Sequence, residues 1–171
     1  MGYTRGMNEN EISHLLRQLA PRLVARDLRI ATAESCTGGW VAKLITDLEG
    51  SSHWYECSII SYSNQAKHEL LGVAQDLLDT CGAVSQPVVK AMVLGLLDRC
   101  NAGIGIAISG VAGPGGGSAE KPVGTVWIAW ARPGRLIETL RFQFSGDREQ
   151  VRLQSVYEAI KGVQRILDDA I

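Results

Sequence analysis

The strongest constraint on this chain is an alternation of two periodicities. Short apolar runs at Leu28–Ala33, Ser58–Tyr62 and Ile104–Ile108 read as strands. They are separated by longer stretches whose apolar residues recur at helical spacing. From Glu9 to Asp27 the apolar positions are Ile12, Leu15, Leu16, Leu19, Leu23 and Val24, a helix that Pro21 should kink or divide. A second helix is predicted over 37–49, closed by Gly50, and a third begins at Ser63 or Asn64 and ends at Gly72. A short helix follows near Asp76–Thr80, and another opens at Ser85, with Pro87 in its first turn, and runs to Arg99. After a loop over 110–124 come strands at Thr125–Ala131 and Leu136–Phe144, joined as a hairpin through Gly134. A long amphipathic helix spans Asp147–Ala170. Strands alternating with helices, closed by a hairpin, predict an α/β fold: a three-layer α/β/α sandwich with a mixed sheet. The 171 residues suit one domain. Residues 1–8 read as a flexible N-terminus and 9–171 as the domain.

Composition narrows the function classes. With 17 basic and 18 acidic residues the net charge is −1, which argues against a strongly electrostatic nucleic-acid or membrane-surface binder. Aromatic residues make up 6%, too few for base-stacking platforms. Cys36, Cys57, Cys81 and Cys100 form no C-x-x-C pair, and His14, His53 and His68 are scattered, so neither zinc nor another metal is expected. Four reduced thiols, no apolar leader and no long apolar stretch together predict a cytoplasmic protein without a membrane span. Trp54 and Tyr55 read as exposed apolar positions and hint at a homo-oligomer surface.

In open α/β sheets ligands gather beyond the carboxyl ends of the strands. Four segments fall there: Ala33–Gly39, Ser61–Asn64, Ser109–Pro114 and Ser145–Arg148. In the first, the helix-start N–H groups of Thr37, Gly38 and Gly39 would face anything bound beside Ser35, as donors to an oxyanion or a phosphate. The alternative is that Ser35 or Thr37 merely caps the helix. The segment lacks the G-x-S-x-G elbow, since Glu34 and Cys36 flank the serine. His53 and His68 are poorly placed as a base. Lys67, one turn into the helix after Tyr62, suits better if burial lowers its pKa, although it could equally be a solvated helix lysine and Tyr62 a packing residue. The Gly-rich loop, with Gly110, Gly113, Gly115, Gly116, Gly117 and Gly124, lacks the G-K-[ST] ending of a P-loop. The S-x-x-K at Ser118–Lys121 lies in this loop rather than at a helix start and is discounted. Arg148 could hold a phosphate or simply be a surface arginine.

Taken together the motifs are more specific. Thr32–Gly39, Tyr62–Lys67, Gly82–Ser85, Ser109–Pro114, Lys121–Val126 and Phe144–Arg148 occur in one order along about residues 12–168. On these the chain strongly resembles the nicotinamide-nucleotide amidohydrolase family, the CinA C-terminal domain in its stand-alone form. The resemblance implies hydrolysis of the carboxamide of nicotinamide mononucleotide to nicotinic acid mononucleotide and ammonia, with no cofactor and a small-molecule nucleotide as the partner. It implies Ser35 as nucleophile, with Tyr62 and Lys67 as the groups that activate it. Thr37, Gly38 and Gly39 would then hold the oxyanion, and Arg148 the 5′-phosphate with the helix start at Gly146–Asp147. Ser109 and backbone from Gly110 to Gly113 would lie nearby, and Glu34 or a neutral wall would face the pyridinium ring. Two other readings remain open: a non-catalytic nucleotide-binding module, and a serine amidase acting on another small amide.

Overall fold

The computed structural model describes residues 8–168. The flexible N-terminus expected over 1–8 therefore lies outside the described residues apart from Asn8, as does the part of the last helix expected beyond Asp168. Asn8 is the N-cap of α1 (Glu9–Val24), its side chain accepting from the N–H groups of Asn10 and Glu11. Pro21 does not divide this helix. It sits in the last turn, where its missing N–H removes one bond and the remaining residues continue to Val24. The chain continues as β1 (Ile30–Glu34), α2 (Trp40–Thr46), β2 (Tyr55–Ile60), α3 (Asn64–Leu71), α4 (Gln75–Cys81), α5 (Gln86–Leu97), β3 (Ile104–Gly110), β4 (Thr125–Ala131), β5 (Glu138–Gln143) and α6 (Arg148–Asp168).

The sheet order is β2-β1-β3-β4-β5. β1 runs parallel to β2 and β3, while β4 is antiparallel to β3 and β5, so the sheet is mixed. Side-chain alternation divides the two faces by size. Ile30, Ile104, Ile106, Ile108, Val126, Ile128 and Trp130 point toward α1, α2 and α6. Ala31, Ala33, Ala107, Ala129 and Ala131 point the other way and let Val88, Val89, Met92, Val93 and Leu96 of α5 pack close to the sheet. A methyl group on Gly95 would collide with the Leu71 carbonyl of α3, and one on Gly162 with the Trp130 indole.

Two expectations are corrected. Trp54 is 2% exposed and belongs to the core under α1 and α2, while Tyr55 opens β2 half-buried, so this pair forms no exposed apolar surface. The helix expected from residue 37 begins only at Trp40, because Gly38 (φ +60°) and Gly39 (φ +94°) are left-handed and keep Thr37–Gly39 out of its first turn. Among the described residues, no helix is long and apolar enough to cross a membrane, and no three His, Cys, Asp or Glu side chains cluster as metal ligands.

Candidate active site

The carboxyl ends of β1, β2 and β3 open on the same rim. Because alternate residues of a strand face opposite ways, Glu34 and Ser35 at the end of β1 part company. Glu34 turns toward α2, and Ser35 toward α3 and α5. A cleft of about 240 Å³ lies on the Ser35 side, lined by Ser35, Cys36, Tyr62, Lys67, Ala83, Val84, Ser109, Gly110, Ala112 and Arg148.

Lys67 is 1% exposed. Ser63 caps α3 by accepting from Ala66 N–H, which fixes the first turn and brings Lys67 inward. Its Nζ lies 2.9 Å from Ser35 Oγ, 2.6 Å from the Ser61 carbonyl and 3.3 Å from the Tyr62 carbonyl. Burial pushes its pKa from 10.5 down to about 8. An ammonium would donate to all three oxygens. A neutral amine has two N–H donors, enough for the two carbonyls, and its lone pair is then left to accept the Ser35 hydroxyl proton. Cys36, beside the serine, is the poorer nucleophile, because burial pushes its thiol up to about 12 and away from thiolate.

Glu34 is fully buried and does not face the cleft. Its Oε2 accepts from Thr37 Oγ1 at 2.7 Å, Gly39 N–H at 2.9 Å and Val41 N–H at 3.2 Å. Its Oε1 accepts from Ala42 N–H at 3.0 Å and Thr32 Oγ1 at 3.2 Å. The amides that open α2 are therefore occupied from within the protein. This corrects three expectations. Glu34 caps a helix and points away from the cleft, and among the described residues no carboxylate lines the cleft. Thr37 is fully buried and serves Glu34. The Gly38 and Gly39 amides are not free for an oxyanion, since Gly38 N–H donates to the Ser35 carbonyl and Gly39 N–H to Glu34. Capping of α2 falls to Glu34 rather than to Ser35 or Thr37.

Tyr62 is 62% exposed. Its hydroxyl accepts from Arg148 Nη2 at 3.2 Å, and only its carbonyl reaches Lys67, so no hydroxyl relay joins Ser35 to Lys67 through this ring. Arg148 Nη1 donates to the Gly113 carbonyl at 2.7 Å, tying α6 to the Gly-rich loop. The amide donors expected at the α6 start are partly consumed: Asp147 N–H donates to Gln150 Oε1 and Gln150 N–H to Asp147 Oδ1. Ser109 is buried and donates to the Ala83 carbonyl at 2.8 Å, drawing the 82–85 loop over the cleft. Ser85 opens α5 without capping it, donating instead to the Gly82 carbonyl.

The structure thus brings Ser35, Tyr62, Lys67, Ser109, Gly110 and Arg148 together, with Gly113 behind Arg148, and leaves Glu34, the Thr37 side chain, Gly38 and Gly39 outside the cleft. Sequence reasoning missed two residues. One is Ser61, whose carbonyl takes the shortest bond from Lys67. The other is Arg152, whose guanidinium donates to the Cys36 and Thr37 carbonyls, both at 2.9 Å. The signal for Arg152 was its spacing, one helical turn after Arg148 and so on the same side of α6.

The family model of the CinA C-terminal domain matches residues 12–167. A nicotinamide-nucleotide amidohydrolase PncC from Escherichia coli K12 is 49% identical over 155 residues, which cover 91% of this chain and 94% of that protein. One of the same name from Enterobacter agglomerans is 47% identical over 159 residues, covering 93% and 97%. Among solved structures, a competence/damage inducible protein from Agrobacterium tumefaciens superposes with a TM-score of 0.89 at 35% identity, covering 96% of this chain and 99% of that one. A CinA superfamily protein from Klebsiella pneumoniae 700603 also gives 0.89, at 39% identity with 95% and 99% covered. With the fold, the motif order and the match along nearly its whole length in agreement, this chain belongs to the CinA C-terminal domain family.

Proposed function

We propose that the protein hydrolyses the carboxamide of nicotinamide mononucleotide, giving nicotinic acid mononucleotide and ammonia. The observation that carries this reading is the buried Lys67 amine, 2.9 Å from Ser35 Oγ and held near a pKa of about 8, at the bottom of a cleft whose other charged wall is Arg148. The relatives named for this activity lend the substrate.

In the proposed reaction Ser35 Oγ attacks the amide carbon while neutral Lys67 takes the hydroxyl proton. The tetrahedral adduct collapses, the C–N bond breaks, and Lys67 returns that proton to the departing nitrogen, so ammonia leaves and an acyl ester remains on Ser35. Water then attacks the ester, losing its proton to Lys67, and the acid leaves as Ser35 recovers the proton. Tyr62 contributes its backbone carbonyl to Lys67 and its ring to the wall of the cleft. Arg148, free of any carboxylate partner among the described residues, takes the 5′-phosphate. Cys36, Ala83, Val84 and Ala112 offer the pyridinium ring a neutral wall. A positive ring so close also favours the uncharged form of Lys67.

Ammonia release across a panel of amides tests the assignment. Nicotinamide mononucleotide should be turned over best, and Ser35→Ala should lower kcat by at least about 10³-fold with nucleotide binding kept. Undiminished turnover would remove the serine from the reaction. Arg148→Ala should raise KM for the mononucleotide far more than for the riboside that lacks the phosphate, and equal losses would refute the phosphate contact.

A further inference from the structure

The amide N–H groups left open beside Ser35 lead to Arg152. Ser35 N–H is spent on the Ile108 carbonyl, Gly38 N–H on the Ser35 carbonyl, Gly39 N–H on Glu34 and Trp40 N–H on the Thr37 carbonyl. The N–H groups of Cys36 and Thr37 meet no carbonyl, carboxylate or hydroxyl acceptor among the described residues. In the turn that carries the nucleophile these two donors alone remain unspent. The carbonyls of the same two residues are both held by Arg152, through Nε to Cys36 and Nη2 to Thr37.

The peptide linking Cys36 to Thr37 is trans, since the cis bond among the described residues is Gly113-Pro114. In a trans peptide the N–H points opposite to the C=O of the same unit. A guanidinium on the Cys36 carbonyl therefore aims the Thr37 N–H away from α6, and polarises the unit so that this N–H becomes a better donor. Arg152 is itself held: its guanidinium lies 4.9 Å over the Trp40 ring and forms no ion pair among the described residues. Gly38 beside it is required by its φ of +60° rather than by space, since a methyl group there would lie 3.7 Å from Nη2, an ordinary contact.

We infer that Arg152 is a positioning residue which, from behind the Cys36–Thr37 backbone, sets the amide donors offered to the oxyanion formed when Ser35 attacks: Thr37 N–H directly, through the Cys36 carbonyl, and Cys36 N–H, at the edge of the cleft, through the Thr37 carbonyl, the Gly38 N–H and the Ser35 carbonyl in turn. This rests on the serine mechanism proposed above. It adds where the charge goes and which cation balances it: one outside the cleft that never touches substrate. Arg148 and Arg152, one turn apart on α6, then divide the work between substrate phosphate and reaction centre.

The test separates ground state from tetrahedral state. Arg152→Met and Arg152→Lys are compared with wild type for kcat, KM, affinity for the product mononucleotide, and affinity for pyridine-3-boronic acid, which forms a tetrahedral adduct on a reactive serine. Arg152→Met should lower kcat by about 10²-fold and boronate affinity by a similar factor, with KM and product affinity within about threefold. Arg152→Lys keeps the charge but loses the paired geometry, and should fall between. Added guanidinium ion should restore part of kcat to an Arg152→Ala variant. The inference is overturned if kcat and boronate affinity stay within about threefold of wild type, or if product affinity and thermal midpoint fall in step with kcat, which marks a purely structural residue. If wild-type protein releases no ammonia and does not bind the boronate at Ser35, the serine mechanism itself fails, a result distinct from either.

Discussion

Lys67 carries its amine to a place that water scarcely reaches, and two carbonyls and a hydroxyl replace the hydration it loses. Carbonyls stabilise an ammonium less than a carboxylate does, and among the described residues no carboxylate lines the cleft. Desolvation therefore dominates, and the amine titrates near 8. Its sign follows directly: the base is competent only after losing its proton. The kcat/KM of the proposed reaction should rise with pH through about 8 and level off above it. A profile flat from pH 6 to 10 would exclude Lys67 as the base. Lys67→Met should remove the rise and cost about 10²–10⁴-fold in kcat. The site tells the same story about Cys36, whose thiol is held neutral beside the reacting oxygen, so that the alcohol is the better-activated group despite its weaker intrinsic nucleophilicity.

The segment from β1 into α2 is organised by a side chain that points away from the chemistry. Three amides of the α2 start and two threonine hydroxyls converge on the Glu34 carboxylate. A neutral isostere would turn an NH₂ group toward some of these donors and leave them unpaired. Glu34→Gln should cost about 2–3 kcal/mol in unfolding free energy and loosen the turn that holds Ser35. Circular dichroism melts with a parallel ammonia assay check this, and unchanged stability would mean the cage can rearrange around an amide. Gly39 answers to the same geometry. Its φ of +94° strains any side chain, and a methyl group there would lie 2.9 Å from Ile60 Cδ1. Gly39→Ala should therefore lower both stability and activity. The Ala33–Gly39 motif was legible in the sequence as a strand-to-helix turn, yet its left-handed glycines were not. They moved the helix start to Trp40 and handed its amides to Glu34 rather than to a ligand.

Across the whole molecule, burial of one titratable amine couples folding to pH. The unfolded chain keeps the Lys67 proton up to about 10.5, while the folded protein gives it up near 8. Between those values the unfolded state binds more protons, so this residue's contribution to stability rises with pH; below 8 its cost is fully present. Cys36 acts oppositely above its unfolded value of 9.0, because its folded thiol ionises only near 12. Comparing wild type with Lys67→Met isolates the lysine. From pH 7 to 9 wild type should gain on the order of 1 kcal/mol relative to the variant in denaturant unfolding, and no relative gain would mean that the amine stays charged in the folded protein. The layers around the sheet set a second expectation. Gly162 of α6 packs directly on the Trp130 indole, and Gly162→Ala should cost about 1–3 kcal/mol by pushing α6 off the sheet. A melting temperature equal to that of wild type would show that α6 can shift without loss.

Periodicity alone determined the order of helices and strands, the mixed sheet and the rim on which the candidate residues gather, because burial of apolar faces is written into local spacing. Ser35 and Lys67 were readable as residue types in the right motifs. Their separation of 2.9 Å was not, since it depends on where α3 docks beside β1. Alternation along β1 already sends Glu34 and Ser35 to opposite faces, but only the packed layers decide which face holds the cleft. Arg152 lies far along the chain from the carbonyls it grips, and Trp54 looks exposed until α1 and α2 cover it. Contacts between distant segments come from the docking of whole elements, which no local pattern encodes.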